Sequence, residues 1–157
     1  MANPAHDLDR DSPSPSPYEA SRDFPRLVAG LRRPEAYPPA LVGPDGTIEH
    51  LETHISHVFL AGDRAYKLKK PVNLGFLDFS TAERRLEFCR EELRLNRRLA
   101  PELYLRLVAV TGTPNQPRPG GDGPVLEYLV EMRRFDQRDR LDHCVLTPEL
   151  IDRLATR

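Results

Sequence analysis

The chain has 157 residues, 39% hydrophobic and 30% charged, with a formal charge of −1. That is room for one modest domain of ordinary soluble composition, and a near-neutral molecule has no overall electrostatic pull toward nucleic acid or membrane. No stretch approaches the ~20 apolar residues of a membrane span, the polar, acidic start is unlike a secretory signal, and Cys89 and Cys144 read as reduced thiols of a cytoplasmic protein.

Residues 1–22 carry the alternating run from Ser12 to Pro17 and few large apolar groups. They read as a disordered Ser/Pro-rich tail. Residues 24–33 predict a short helix with Leu27, Val28 and Leu31 on one side, ended by Pro34, Pro38 and Pro39. The Gly43–Gly46 turn then opens a strand-rich stretch. Strands are expected over 47–54, 57–61 and 64–70. The last two are joined at Gly62-Asp63, with glycine first as a type II′ hairpin turn wants. Pro71 stops the third strand. Residues 80–99 form the clearest helix, with Ser80 and Glu83 spaced as a capping box. Strands are expected over 103–111 and 125–132, on either side of a Gly/Pro loop at 112–124. Thr147-Pro148-Glu149 opens another helix. The expected fold is α+β: a five-stranded antiparallel sheet with one main helix between strands three and four. The expected organisation is a tail over 1–22, a sheet-rich lobe over 23–135, and the truncated start of a helical second lobe over 136–157.

The basic residues are unevenly chosen. Twenty are Arg, and the three lysines, Lys67, Lys69 and Lys70, fall within four consecutive positions. An ammonium is a compact point charge on a flexible stem, and one use of it is to grip phosphate. Alternation along the third strand puts Ala65, Lys67 and Lys69 on one face, with the small Ala65 leaving room beside the Lys67 stem for a flat ligand. Lys69 and Lys70 also fit plain solvated charges at a strand end. On the 80–99 helix, with Phe88 set at zero, Leu95, Leu99 and Glu92 fall within about 40° of it. Glu92 is then an inward carboxylate on a largely apolar arc that Arg85 and Asn96 also enter, and Glu91 lies on the charged face. A strand lysine and a helix glutamate 25 residues later make a pair that positions the lysine.

This pairing is the arrangement of protein kinases, and Ala65-Tyr66-Lys67 resembles the end of their V-A-I-K motif. More narrowly, three runs resemble the bacterial aminoglycoside phosphotransferase-like family, whose members often carry a further P-loop ATP-binding domain. They are ETHISHVFLAGDRAYKLKKPVNLGFLDFST, EELRLNRRLAPELYL and EYLVEMRRF. The resemblance covers roughly residues 30–157 and implies a kinase-like N-terminal lobe that binds Mg-ATP. By position it implies that Lys67 contacts the phosphates and Glu92 positions it. It makes Met132, Arg133 and Phe135 part of a hinge at the adenine edge. It places Thr53 and Ser56 in the phosphate-covering turn, which lacks the glycines of protein kinases.

The acceptor implied by the family is a small hydroxylated molecule. No His-Gly-Asp or His-Arg-Asp loop follows Phe135, so no catalytic residue is assigned. The expectation is a catalytically incomplete lobe whose partner would be a missing or separately encoded catalytic lobe. A non-catalytic nucleotide-binding or regulatory module remains the alternative. Nucleic-acid binding is disfavoured because Glu83, Glu87, Glu91, Glu92 and Glu102 dilute any basic stripe. His54 and His57 flank the turn and are too few for a metal site.

Overall fold

The computed structural model describes residues 17–135. The second-lobe helix expected from Thr147, and the expected tail up to residue 16, lie outside the described residues. From Pro17 the chain is already helical: α1 runs Pro17–Leu31, longer at its start than the sequence suggests. Two short 3₁₀ turns follow, at Pro34–Ala36 and Pro39–Leu41, each opened by a proline whose missing N–H has no helical partner to lose. Then come β1 (Glu49–Glu52), β2 (Ser56–Ala61), β3 (Arg64–Lys69), α2 (Ala82–Asn96), β4 (Tyr104–Thr113), β5 (Gln116–Pro119) and β6 (Glu127–Arg133).

Among the described residues the expected five strands and single main helix are therefore corrected to a six-stranded antiparallel sheet with two helices. The strand order is β1-β2-β3-β6-β4-β5. The added strand, β5, falls inside the stretch expected to be loop. Its sequence, Gln-Pro-Arg-Pro, reads as a strand breaker because proline cannot donate to a ladder. Among the described residues β5 lies at the sheet edge, paired only with β4, and there an absent N–H is tolerated. The β2–β3 turn is as expected: Ala61 faces Arg64 across two turn residues, and Gly62 sits at φ 56.

The sheet is covered on both faces. On one, α1 brings Phe24, Leu27 and Leu31 against Phe59, Tyr66, Leu68, Val108, Val110 and Leu129. On the other, α2 brings Cys89 and Leu93 against Leu60, Ala65, Val130 and Met132. Burying a side chain such as Leu31 or Phe59 contributes roughly 1.5–3 kcal/mol, so the first face carries most of the apolar stabilisation. Among the described residues, no helix is long and apolar enough to cross a membrane.

Helix α2 departs from expectation twice. Its cap is Thr81, whose hydroxyl accepts from the Arg84 N–H, rather than Ser80; the Ser80 N–H instead donates to Asp78 Oδ1 at 2.9 Å. Its buried face is centred on Arg85, Cys89 and Leu93, about one residue's rotation from the Phe88–Leu95–Leu99 arc. Phe88, Leu95 and Leu99 are exposed. The reason is polar: Arg85 is drawn inward by a buried carboxylate, Glu127, and turns the helix with it.

Candidate functional site

Strand β3 presents Ala65, Lys67 and Lys69 to the α2 side of the sheet. Across the ladder, Leu60, Val58 and Ser56 on β2 stand opposite these three in turn, and Met132 and Val130 on β6 stand opposite Ala65 and Lys67. Ala65 and Met132 are buried in the same apolar cluster, so the surroundings of the Lys67 stem are apolar.

Glu92 reaches this face from the border of α2's buried stripe. Lys67 Nζ donates to Glu92 Oε1 at 2.8 Å, and Lys69 Nζ donates to Glu92 Oε2 at 2.6 Å. The three groups are unequally exposed: the Lys67 side chain keeps 27% of its surface, Glu92 12% and Lys69 6%. Burial works against ionisation of Glu92. The two ammonium groups outweigh it and hold the carboxyl below the ordinary carboxylate range. The Asn96 side-chain amide donates to the Glu92 backbone carbonyl at 2.8 Å, tying down the turn of helix that carries it. Two ammoniums and one carboxylate leave a local charge of +1, with the Lys67 head as its most accessible part.

Lys69 is not the solvated strand-end charge that its position suggests. It is buried, shares Glu92, and lies 5.0 Å from the centroid of the Phe79 ring. Alternation along β3 already placed it on the Lys67 face; its burial comes from the 71–81 connection, which the sequence does not order. Lys70 points elsewhere and pairs with Glu52 at 2.5 Å. Asp78 pairs with Arg84 as well as accepting from Ser80. A residue the sequence did not single out, Tyr104, stands close enough to the Lys67–Glu92 pair to feel both charges. Its phenol is pushed up by burial and by the Glu92 carboxylate.

In the β1–β2 turn one hydroxyl is engaged with the backbone and the other is enclosed. Thr53 Oγ1 accepts from the Ser56 N–H at 3.0 Å, and the Thr53 N–H donates to the Ser56 carbonyl at 2.9 Å. Ser56 is fully buried, and its Oγ has no hydrogen-bond partner among the described residues. The expected hinge residues lie at the end of β6 and beyond. Met132 is buried, whereas Arg133 and Phe135 are exposed. The N–H groups of Arg133 and Arg134 are engaged by the carbonyls of Leu103 and Asp63, both at 2.8 Å.

Two other features lie apart from Lys67. Arg85 and Glu127 form a bidentate pair, both bonds 2.8 Å, in the interior. Burial raises the Glu127 carboxyl despite the guanidinium beside it. A cavity of about 640 Å³ opens between the end of α1 and the β4–β5 hairpin, lined by Gly30, Arg33, Glu35 and Arg118 among others. It includes none of the lysines.

No family model matches the chain, and no solved structure matches it. Over 94 residues it is 45% identical to the uncharacterized protein Rv2004c of Mycobacterium tuberculosis strain H37Rv, and equally to the uncharacterized protein Mb2027c of Mycobacterium bovis. Each match covers 60% of this chain and 17% of the relative, so the chain spans a small part of the length of these proteins.

Proposed function

We propose that this chain is the nucleotide-contacting portion of a kinase-like phosphotransferase that uses Mg-ATP and acts on a small hydroxylated molecule. The observation that carries the reading is the Lys67–Glu92 ion pair: a strand lysine, partly exposed, steered by a helix carboxylate 25 residues later at 2.8 Å. Phosphoryl transfer depends mainly on positioning and on neutralising charge. Lys67 would meet the phosphate oxygens, Glu92 would fix its direction, and Lys69 would keep the local charge positive while holding the second carboxylate oxygen. Ala65 and Met132 would form the flat apolar floor for the base. Thr53 and Ser56 contribute little in this conformation, because one hydroxyl is used within the turn and the other is enclosed. The resemblance to aminoglycoside phosphotransferase-like proteins supports the acceptor class. No described residue is assigned a catalytic role, and a catalytic lobe elsewhere in the protein or on a separate chain is part of the proposal.

The test is a titration of Mg-ATP against the chain and its Lys67→Ala variant, following thermal stability at fixed salt. A ligand specific to the folded state adds about 2.7 kcal/mol at 100 times its dissociation constant. A shift in the parent that disappears in the variant is the expected result. A cooperatively folded parent with no shift overturns the reading.

A further inference from the structure

On the opposite face of the sheet from Lys67, three potential metal ligands converge on the β1–β2 edge hairpin. His50 and Glu52 are two residues apart on β1, so their side chains leave the same face. His57 stands directly across the ladder from Glu52. One donor atom from each of the three lies within 4.8 Å of the other two. His50 Nε2 and His57 Nδ1 are already 3.0 Å apart.

That spacing is close to what one ion requires. Two nitrogens bound at ~2.0–2.1 Å to a tetrahedral zinc-type ion are about 3.3 Å apart. The two nitrogens need to part by only a few tenths of an ångström, with the rings turning so that both lone pairs meet at the ion, and Glu52, within 4.8 Å, closes on it. They are also held in place. His50 stacks on Phe59 with centroids 5.1 Å apart, and His57 is buried with Phe24 5.9 Å from its ring. In the His50–His57 contact one facing nitrogen carries a proton. On metal binding that ring moves its N–H to its other nitrogen, and both imidazoles stay neutral.

We propose that His50, Glu52 and His57 bind a divalent transition-metal ion of the zinc or cobalt type, which clamps the edge hairpin. Two imidazoles and one carboxylate are a donor set that zinc favours, with a fourth position left for water. The ion has a built-in competitor. Lys70 Nζ holds Glu52 Oε1 at 2.5 Å, and Arg32 is a second cation that His50 senses. The ammonium of Lys70 occupies the carboxylate until a metal displaces it. This inference is independent of the nucleotide reading, since its residues lie on the other face.

The test uses the untagged chain, stripped of metal and buffered above the imidazole pKa. Cobalt(II) is titrated by visible absorption, with zinc(II) as competitor. One ion per chain is expected, with thermal stability rising on binding. Because His50 is only half-buried, His50→Ala should fold, and it should weaken binding at least about tenfold, the lower bound even for groups that merely support a ligand. Lys70→Met should tighten binding by freeing Glu52, while His54→Ala, outside the cluster, should bind like the parent. Absence of saturable binding in the parent overturns the proposal. So does unchanged affinity in His50→Ala, or an unchanged affinity in Lys70→Met.

Discussion

Lys67 and Glu92 meet at 2.8 Å across the gap between β3 and α2, and the second oxygen of the same carboxylate holds Lys69 at 2.6 Å. One carboxylate thus serves two ammoniums of unequal exposure, and the two lysines should answer differently to mutation. Removing the Glu92 charge strands a buried Lys69. Glu92→Gln should cost about 3 kcal/mol, at the low end for breaking a buried pair. Lys67→Ala leaves Lys69 on Glu92 and should cost only about 1 kcal/mol, the usual scale for a partly exposed pair. Urea unfolding of the two variants checks the order. Equal losses would mean that the triad does not share its carboxylate in this way.

The same carboxylate fixes a pH dependence. Glu92 has a folded-state pKa below its ordinary 4.5. Between those two values the unfolded chain holds more protons, so stability rises with pH there. Its contribution is complete above 4.5 and is lost as pH falls through the folded value. Glu127 has the opposite sign: with its carboxyl raised by burial, its contribution is present below the ordinary value and fades as pH rises through the folded one. The stability difference between the parent and Glu92→Gln should therefore shrink steadily as the solution is acidified below 4.5. A difference that stays constant in acid would separate Glu92 from the effect.

The arrangement of these residues was legible in the sequence only in part. The Lys67 and Glu92 register could be read because a strand alternates every residue and a helix turns every 3.6. The true centre of the α2 stripe could not be read, because it depends on Arg85 finding Glu127 42 residues away. Arg85 does fall on the inward arc in the sequence, but nothing local names its partner, and a helix arginine is ordinarily a surface residue. β5 was hidden for a different reason. Pro117 and Pro119 deny strand propensity, and only the finished sheet shows that β5 is an edge where those prolines cost little. The convergence of His50 with His57 likewise required knowing that β1 and β2 pair in the register that sets Glu52 against His57.

The Arg85–Glu127 pair should behave as a unit. Arg85→Met leaves a buried carboxylate without its guanidinium and should cost about 3–5 kcal/mol. It also frees the Phe79 carbonyl, which accepts from Arg85 Nη1 at 2.7 Å. The double variant Arg85→Met/Glu127→Leu removes both charges and should recover most of that loss. A double-mutant cycle by chemical denaturation measures the coupling. Additive losses would show that each residue is held by something other than its partner.

Gly30 packs the end of α1 tightly against the β4–β5 hairpin at the sheet edge. A Cβ built there would lie 2.5 Å from Pro117 Cδ and 2.8 Å from the Pro114 carbonyl oxygen. Neither neighbour gives way easily, since one is a ring locked to its own backbone and the other is backbone itself. Gly30→Ala normally gains helix propensity, worth ~1 kcal/mol. Overpacking of this kind costs about 1–3 kcal/mol, and contacts below 3.0 Å put the site at the upper end. The net result should be a loss of roughly 1–2 kcal/mol, read as a lower unfolding midpoint. Pairing the change with Pro117→Ala removes the ring but leaves the Pro114 carbonyl, so only part of the loss should return. A stabilised Gly30→Ala protein would show that α1 stands further from β5 than the structure places it.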